Sequence, residues 1–175
     1  MRTAIAAFAL IALAAWPAAA KPQRIVSTNV CADQLVLAIA DRDKVISVSR
    51  MAVEPQISNF ADVARTIRIN GAHAEEIVEL KPDLILGDIY TGKGANRLAS
   101  TLGVPIHIVP LAATLADVRA VIHGAAEVIG EPARGEALVA EMDARVDRAR
   151  RAAQARPRIT ALVYEPNGAT AGNGT

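Results

Sequence analysis

Short, fully apolar runs alternate along the chain with segments whose apolar residues recur every three or four positions. The stretch at residues 74–88, AEEIVELKPDLILGD, holds one complete unit of this alternation. Ile77 and Leu80 share one helical face, with Glu75, Glu76 and Glu79 on the outer one. Pro82 lacks an N–H and disfavours helical geometry at Lys81, so the helix ends there. Leu84, Ile85 and Leu86 then make a continuous apolar run, the pattern of a parallel strand buried on both faces. Gly87 and Asp88 end that strand, at the place where open α/β sheets take ligands.

The same unit recurs on either side. Residues 24–27 predict a strand, Thr28-Asn29 a turn, and residues 31–40 a helix with Leu35, Val36 and Ile39 facing inward. Residues 45–49 predict a second strand. Residues 50–65 show no period, and residues 67–69 suggest a third strand. A helix over 95–102 stops at Gly103, and a strand over 104–109 closes at Pro110. Thr114 and Asp117 have the spacing of a capping box for a helix ending at Gly130. Pro132 suits the first turn of a longer helix running to about residue 155, roughly 36 Å at the usual rise. Leu138, Met142, Val146 and Ala149 form its narrow apolar stripe, so it is expected to lie over something larger than its own sheet or to bridge two bodies. Residues 159–164 read as a strand that opens a new sheet or joins the edge of the first one. Alternating strands and helices with short connections give an α/β fold with a parallel sheet and flanking helices.

The first residues change this picture. Arg2, an apolar run over 4–16 and the small residues up to Ala20 make a secretory signal peptide, expected to be removed after Ala20. Cys31 is the single cysteine, so no internal disulfide can form and the exported chain needs a true hydrophobic core. Without Arg2 the count of Lys and Arg falls from 19 to 18, equal to the 18 Asp and Glu. A neutral mature chain whose aromatics are Phe60, Tyr90 and Tyr164 is a poor nucleic-acid binder. His73, His107 and His123 have no short ligand spacing, so no metal site is expected. Gly92-Lys93-Gly94 lacks the phosphate-loop spacing, and no cofactor motif is present.

Taken in order, RIVSTNVCADQLVLAIADRDKVISVS, AEEIVELKPDLILGD, LGVPIHIV, the long helix and ALVYEPNGATAGNGT resemble the substrate-binding proteins of ABC importers for vitamin B12 and ferric siderophores. These are periplasmic binding proteins of the helical-backbone class. The resemblance implies two α/β lobes joined by a rigid helix, with ligand held between them. It implies a signal peptide at 1–20, a first lobe at 21–131, the inter-lobe helix at 132–156 and the start of an incomplete second lobe at 157–175. It implies a periplasmic monomer that takes an iron-siderophore or corrinoid ligand to an ABC permease of the inner membrane. Ligand would lie against the strand ends, at Asn29, Arg50, Met51, Asn70, Asp88 and Tyr90. Arg50 suits an anionic group, whereas a corrinoid site would carry more aromatics than Tyr90. Glu75 matches the acidic position that docks into the permease. Half a cleft is expected to bind ligand weakly or not at all.

Two other readings remain open from sequence. A small exported α/β enzyme would use Cys31, near a helix N-terminus, with Asp88 and Tyr90, but no neighbouring His in sequence supplies the base that a nucleophile needs. A stand-alone interaction module would dock through the charged long helix.

Overall fold

Five parallel strands form one sheet: β1 (Ile25–Ser27), β2 (Val45–Ser49), β3 (Arg68–Asn70), β4 (Leu84–Gly87) and β5 (Ile106–Ile108), in the order β3-β2-β1-β4-β5. The computed structural model describes residues 20–91, 93–154, 156, 157 and 160. The predicted signal peptide, Gly92 and the predicted strand at 159–164 fall wholly or largely outside them. Strand β1 pairs with β2 on one side and β4 on the other, with Ile25 level with Val45 and Leu84. The sheet therefore grows outward in both directions from β1, and the strand order reverses between β1 and β4. Such a reversal opens a crevice at the carboxyl ends of the strands.

Helices cover both faces. On one lie α1 (Val30–Ile39), α5 (Leu115–Ile129) and α6 (Pro132–Gln154), around Ile25, Val36, Ile39, Val48, Leu86 and Ile122. On the other, α3 (Ala74–Glu79) and α4 (Lys93–Thr101) pack over Val26, Ile77, Ile85 and Ala99. Every residue of β4 is buried, as its unbroken apolar run requires. The stretch at 50–65 is more ordered than its lack of period suggests. A 3-10 turn occupies Arg50–Val53, and a short helix α2 occupies Ala61–Ala64. Its apolar anchors are the alanines Ala52, Ala61 and Ala64, whose small side chains give a weak periodic signal.

The capping box at Thr114 and Asp117 is present, with reciprocal donations of 3.1 and 2.9 Å. Gly130 ends α5 in the left-handed conformation at φ 81°. The stripe of α6 differs from the expected one. Gly135 and Val139 are its buried residues, Leu138, Met142 and Val146 are half-buried, and Ala149 is exposed. Gly135 marks where α6 crosses α5. A Cβ there would lie 2.4 Å from the Cβ of Ala126. Arg119 on α5 further ties the pair by a two-pronged contact to Asp143 on α6, at 2.6 and 3.0 Å. Beyond Val146 no residue of α6 is even half-buried.

Two outcomes are expected. Gly135→Ala should raise helix propensity yet destabilise the fold by about 1–3 kcal/mol, because overpacking at Ala126 outweighs it; urea denaturation measures the sign. The contact with Arg119 holds the Asp143 carboxyl below its ordinary value of 3.8. A lowered acid stabilises the fold above that value and ceases to do so as pH falls below it. The gap in urea midpoint between wild type and Asp143→Asn should therefore narrow as pH drops from about 7 to about 3; an unchanged gap would remove the pair's electrostatic role.

Candidate functional site

The carboxyl ends of β1 to β4 and the loops that follow them enclose a cleft of about 700 Å³. Asn29, Arg50, Met51, Asn70 and Asp88 all line it. Tyr90 does not. It stands 61 % exposed on the rim, two residues beyond Asp88. Glu75 lies outside the cleft, exposed in the first turn of α3. Thr28, Cys31, Ser49, His73, Thr91 and Lys93 line the cleft as well. Sequence patterning gives no spacing that would group these six, since they come from the ends of four different strands that only the sheet brings level.

A buried polar layer lies beneath the cleft. Ser27, Thr28, Asn29, Asp33, Ser47, Ser49 and Asn70 are each less than a tenth exposed, in a fold otherwise cored by aliphatic residues. Asn70 joins three strand ends. Its Nδ2 donates to Ser27 O at 2.9 Å, Ser47 Oγ at 2.8 Å and Val48 O at 3.0 Å, while its Oδ1 accepts from Ala72 N at 3.0 Å. That last bond holds Ala72 in the left-handed region at φ 58°, an unfavourable conformation for a residue with a Cβ. The Gly71–His73 loop is thereby held against the cleft.

Asp33 performs the matching task on the other side. Its carboxylate accepts from Ser49 N at 2.9 Å and Ser49 Oγ at 2.5 Å. Burial pushes this carboxyl up, and donations from Ser27 and Ser49 pull against that shift. Ser49 is also the cap of the Arg50–Val53 turn, accepting from Met51 N. Asp33 thus fixes the turn that presents Arg50 and Met51. The residue sits on the inward face of α1, one position past Ala32, where charge is rarely buried. An acid at a core position of an amphipathic helix is the signal that sequence reasoning could have used.

Asp88 is committed to its own loop. It accepts from Tyr90 N at 2.7 Å, Thr91 N at 2.6 Å and Thr91 Oγ1 at 2.8 Å. Partial burial pushes its carboxyl up, but the donations from Thr91 and Tyr90 outweigh this and hold it below its ordinary range. Asp88 therefore shapes the rim and remains an anion. Gly87, beside it, has Thr28 Oγ1 only 2.5 Å from where a Cβ would stand, so a larger residue there would have to displace the Thr28 hydroxyl. Among the described residues no group of three metal-ligating acids, histidines or cysteines converges. Cys31 is exposed in the first turn of α1.

A family model described as periplasmic binding protein matches residues 25–175. No curated protein matches by sequence. Among solved structures, a possible iron-binding (periplasmic solute-binding) protein from Staphylococcus epidermidis ATCC 12228 superposes with a TM-score of 0.70 at 19 % identity, over 89 % of this chain and 62 % of that one. The periplasmic heme-binding protein RhuT from Roseiflexus sp. RS-1 gives 0.65 at 26 % identity, over 87 % and 60 %. The vitamin B12 binding protein BtuF of Vibrio cholerae gives 0.60 at 21 % identity, over 85 % and 58 %. The chain spans about three-fifths of the length of these structures.

Asn70→Ala should remove the bonds that tie β3 to the ends of β1 and β2 and destabilise the fold by about 2–3 kcal/mol, since buried carbonyls lose their donor. Thermal denaturation checks it; a loss within about 0.5 kcal/mol, the usual range of surface substitutions, would show that the polar layer is dispensable.

Proposed function

Because the chain belongs to the periplasmic binding protein family, we propose that it captures a metal chelate, an iron-siderophore, heme or corrinoid, in the periplasm and delivers it to an ABC permease of the inner membrane. The observation that carries this reading is the cleft at the strand ends. Five residues from four strand ends, Asn29, Arg50, Met51, Asn70 and Asp88, converge on one concavity of about 700 Å³. That size and place fit a bound small molecule. The cleft has a rigid floor, through Asn70 and Asp33, and mixed walls, with Met51 offering apolar area and Arg50 a guanidinium. Such walls suit a bulky, partly apolar chelate with polar edges. The solved structures of similar fold are named for iron, heme and vitamin B12 binding, which supports the same ligand class.

The domain plan follows from this reading. Residues 1–20 are the export signal, residues 21–131 one lobe, and α6 within residues 132–156 the helix that leads to a second lobe begun at 157–175. The functional unit is a monomer without affinity for nucleic acid. Glu75 is the contact to the permease. It is exposed on α3, at the end of the lobe where the cleft opens, and it is outside the ligand's reach. The reading makes the protein a carrier and not an enzyme, so Cys31 is a wall residue with no nucleophilic role.

The test is an equilibrium titration of the full-length protein with iron protoporphyrin IX, cobalamin and a ferric siderophore, followed by visible absorbance. One of the three should bind saturably at one to one, and Arg50→Ala with Met51→Ala should weaken it at least tenfold, about 1.4 kcal/mol or more. Cys31→Ser should leave it unchanged, and Glu75→Ala should weaken permease association without altering ligand affinity. Failure of all three chelates to saturate would remove the proposed function.

A further inference from the structure

We propose that the first turn of α1 is an oxyanion seat, and that the cleft accordingly selects chelates carrying an ionised carboxylate or phosphate group. This rests on the binding-protein reading and narrows its ligand class. Asn29 caps α1 through Oδ1, which accepts from Ala32 N at 2.9 Å, and Asn29 O accepts from Asp33 N. The N–H groups of Val30 and Cys31 are then left without a protein partner among the described residues, at the positive end of a 10-residue helix. A second, independent observation points the same way. Asn29 is 7 % exposed, lines the cleft, and its Nδ2 has no hydrogen-bond partner. A buried donor in that state calls for an acceptor. Two backbone N–H groups and one amide nitrogen around one turn match the oxygens of a carboxylate or phosphate.

The charges around the seat agree. Arg50 and Lys93 both line the cleft, and neither forms an ion pair among the described residues. Asp88 is the acid of the cleft wall, and its Oδ1 is already occupied by Tyr90 and Thr91. Glu76, just outside, turns back to accept from Gly71 N at 2.7 Å. The cleft wall thus carries two cations unpaired among the described residues, Arg50 and Lys93, against the one anion Asp88, so a ligand with a pendant anion is favoured over a neutral one.

The test uses ¹⁵N-edited spectra of the full-length protein titrated separately with acetate and inorganic phosphate. Saturable shifts of the Val30 and Cys31 amides and of the Asn29 side-chain amide are expected from at least one anion, and which anion acts identifies the group. Asn29→Asp keeps an oxygen to cap Ala32 N but replaces the Nδ2 donor with a charge that repels anions. It should abolish these shifts while the remaining spectrum stays dispersed. Absence of shifts with both anions overturns the seat, whether or not any chelate binds. Shifts without binding of any chelate would sustain the seat and sink the carrier reading instead. Selection is read with iron protoporphyrin IX and its dimethyl ester. Asn29→Asp should weaken the free acid at least tenfold and the ester less than twofold; an equal loss for both overturns the selection.

Discussion

Strands β1, β2 and β3 stop at one level, and the Asn70 side chain at the end of β3 ties it to the other two. Its amide nitrogen serves Ser27 O, Ser47 Oγ and Val48 O together. An apolar residue at this position would take a donor away from the buried carbonyls of Ser27 and Val48. A charged residue would carry an unpaired charge into the core. An amide has two N–H donors, here shared among three acceptors, no net charge, and an oxygen left over for Ala72 N. The level floor of the cleft, and hence the convergence of loops from different parts of the chain, depends on that one side chain.

Around this point the fold divides its labour. Aliphatic side chains on both faces of the sheet supply the bulk of the burial. Polar side chains are concentrated at the strand ends, where they set loop geometry. Asp33 and Ser49 aim the Arg50–Val53 turn, and Asp88 holds its own loop. Because these groups are satisfied inside the protein, the cleft can be rigid before a ligand arrives, and binding then need not order the loops. The groups left unsatisfied, in the first turn of α1, are the ones a ligand can complete.

The sheet and its helices were legible because their signals are periodic and local. The unit at 74–88 shows a helical face, a proline stop and an apolar run within fifteen residues, and the structure places α3 and β4 there. The cap at Thr114 and the stop at Gly130 were legible for the same reason: each is a backbone requirement met by a particular residue type. The crossing at Gly135 was not. A glycine inside a charged helix reads as a local weakness, and its purpose depends on Ala126 of another helix. The floor of the cleft was legible only in part. Asn29 and Asn70 follow strands and so invite attention, whereas the roles of Asp33, Ser47 and Ser49 depend on strand register. Lys93 and His73 reach the cleft through loop paths that no spacing rule describes.

Asn70 is followed by Gly71, and an Asn-Gly pair in a free chain ages quickly. The glycine nitrogen attacks the side-chain carbonyl, ammonia leaves, and water opens the resulting cyclic imide to aspartate or isoaspartate. Here both reactants are restrained. The Asn70 amide is held on three acceptors, and the Gly71 N–H is donated to Glu76 Oε2. Native packing therefore acts as a chemical preservative for the residue it most needs. An excursion that opens the strand ends exposes the pair to an irreversible reaction, and the product places a carboxylate where the floor requires an amide. Each such excursion leaves a covalent mark, so the extent of deamidation at Asn70 becomes a clock for how often the cleft has come apart.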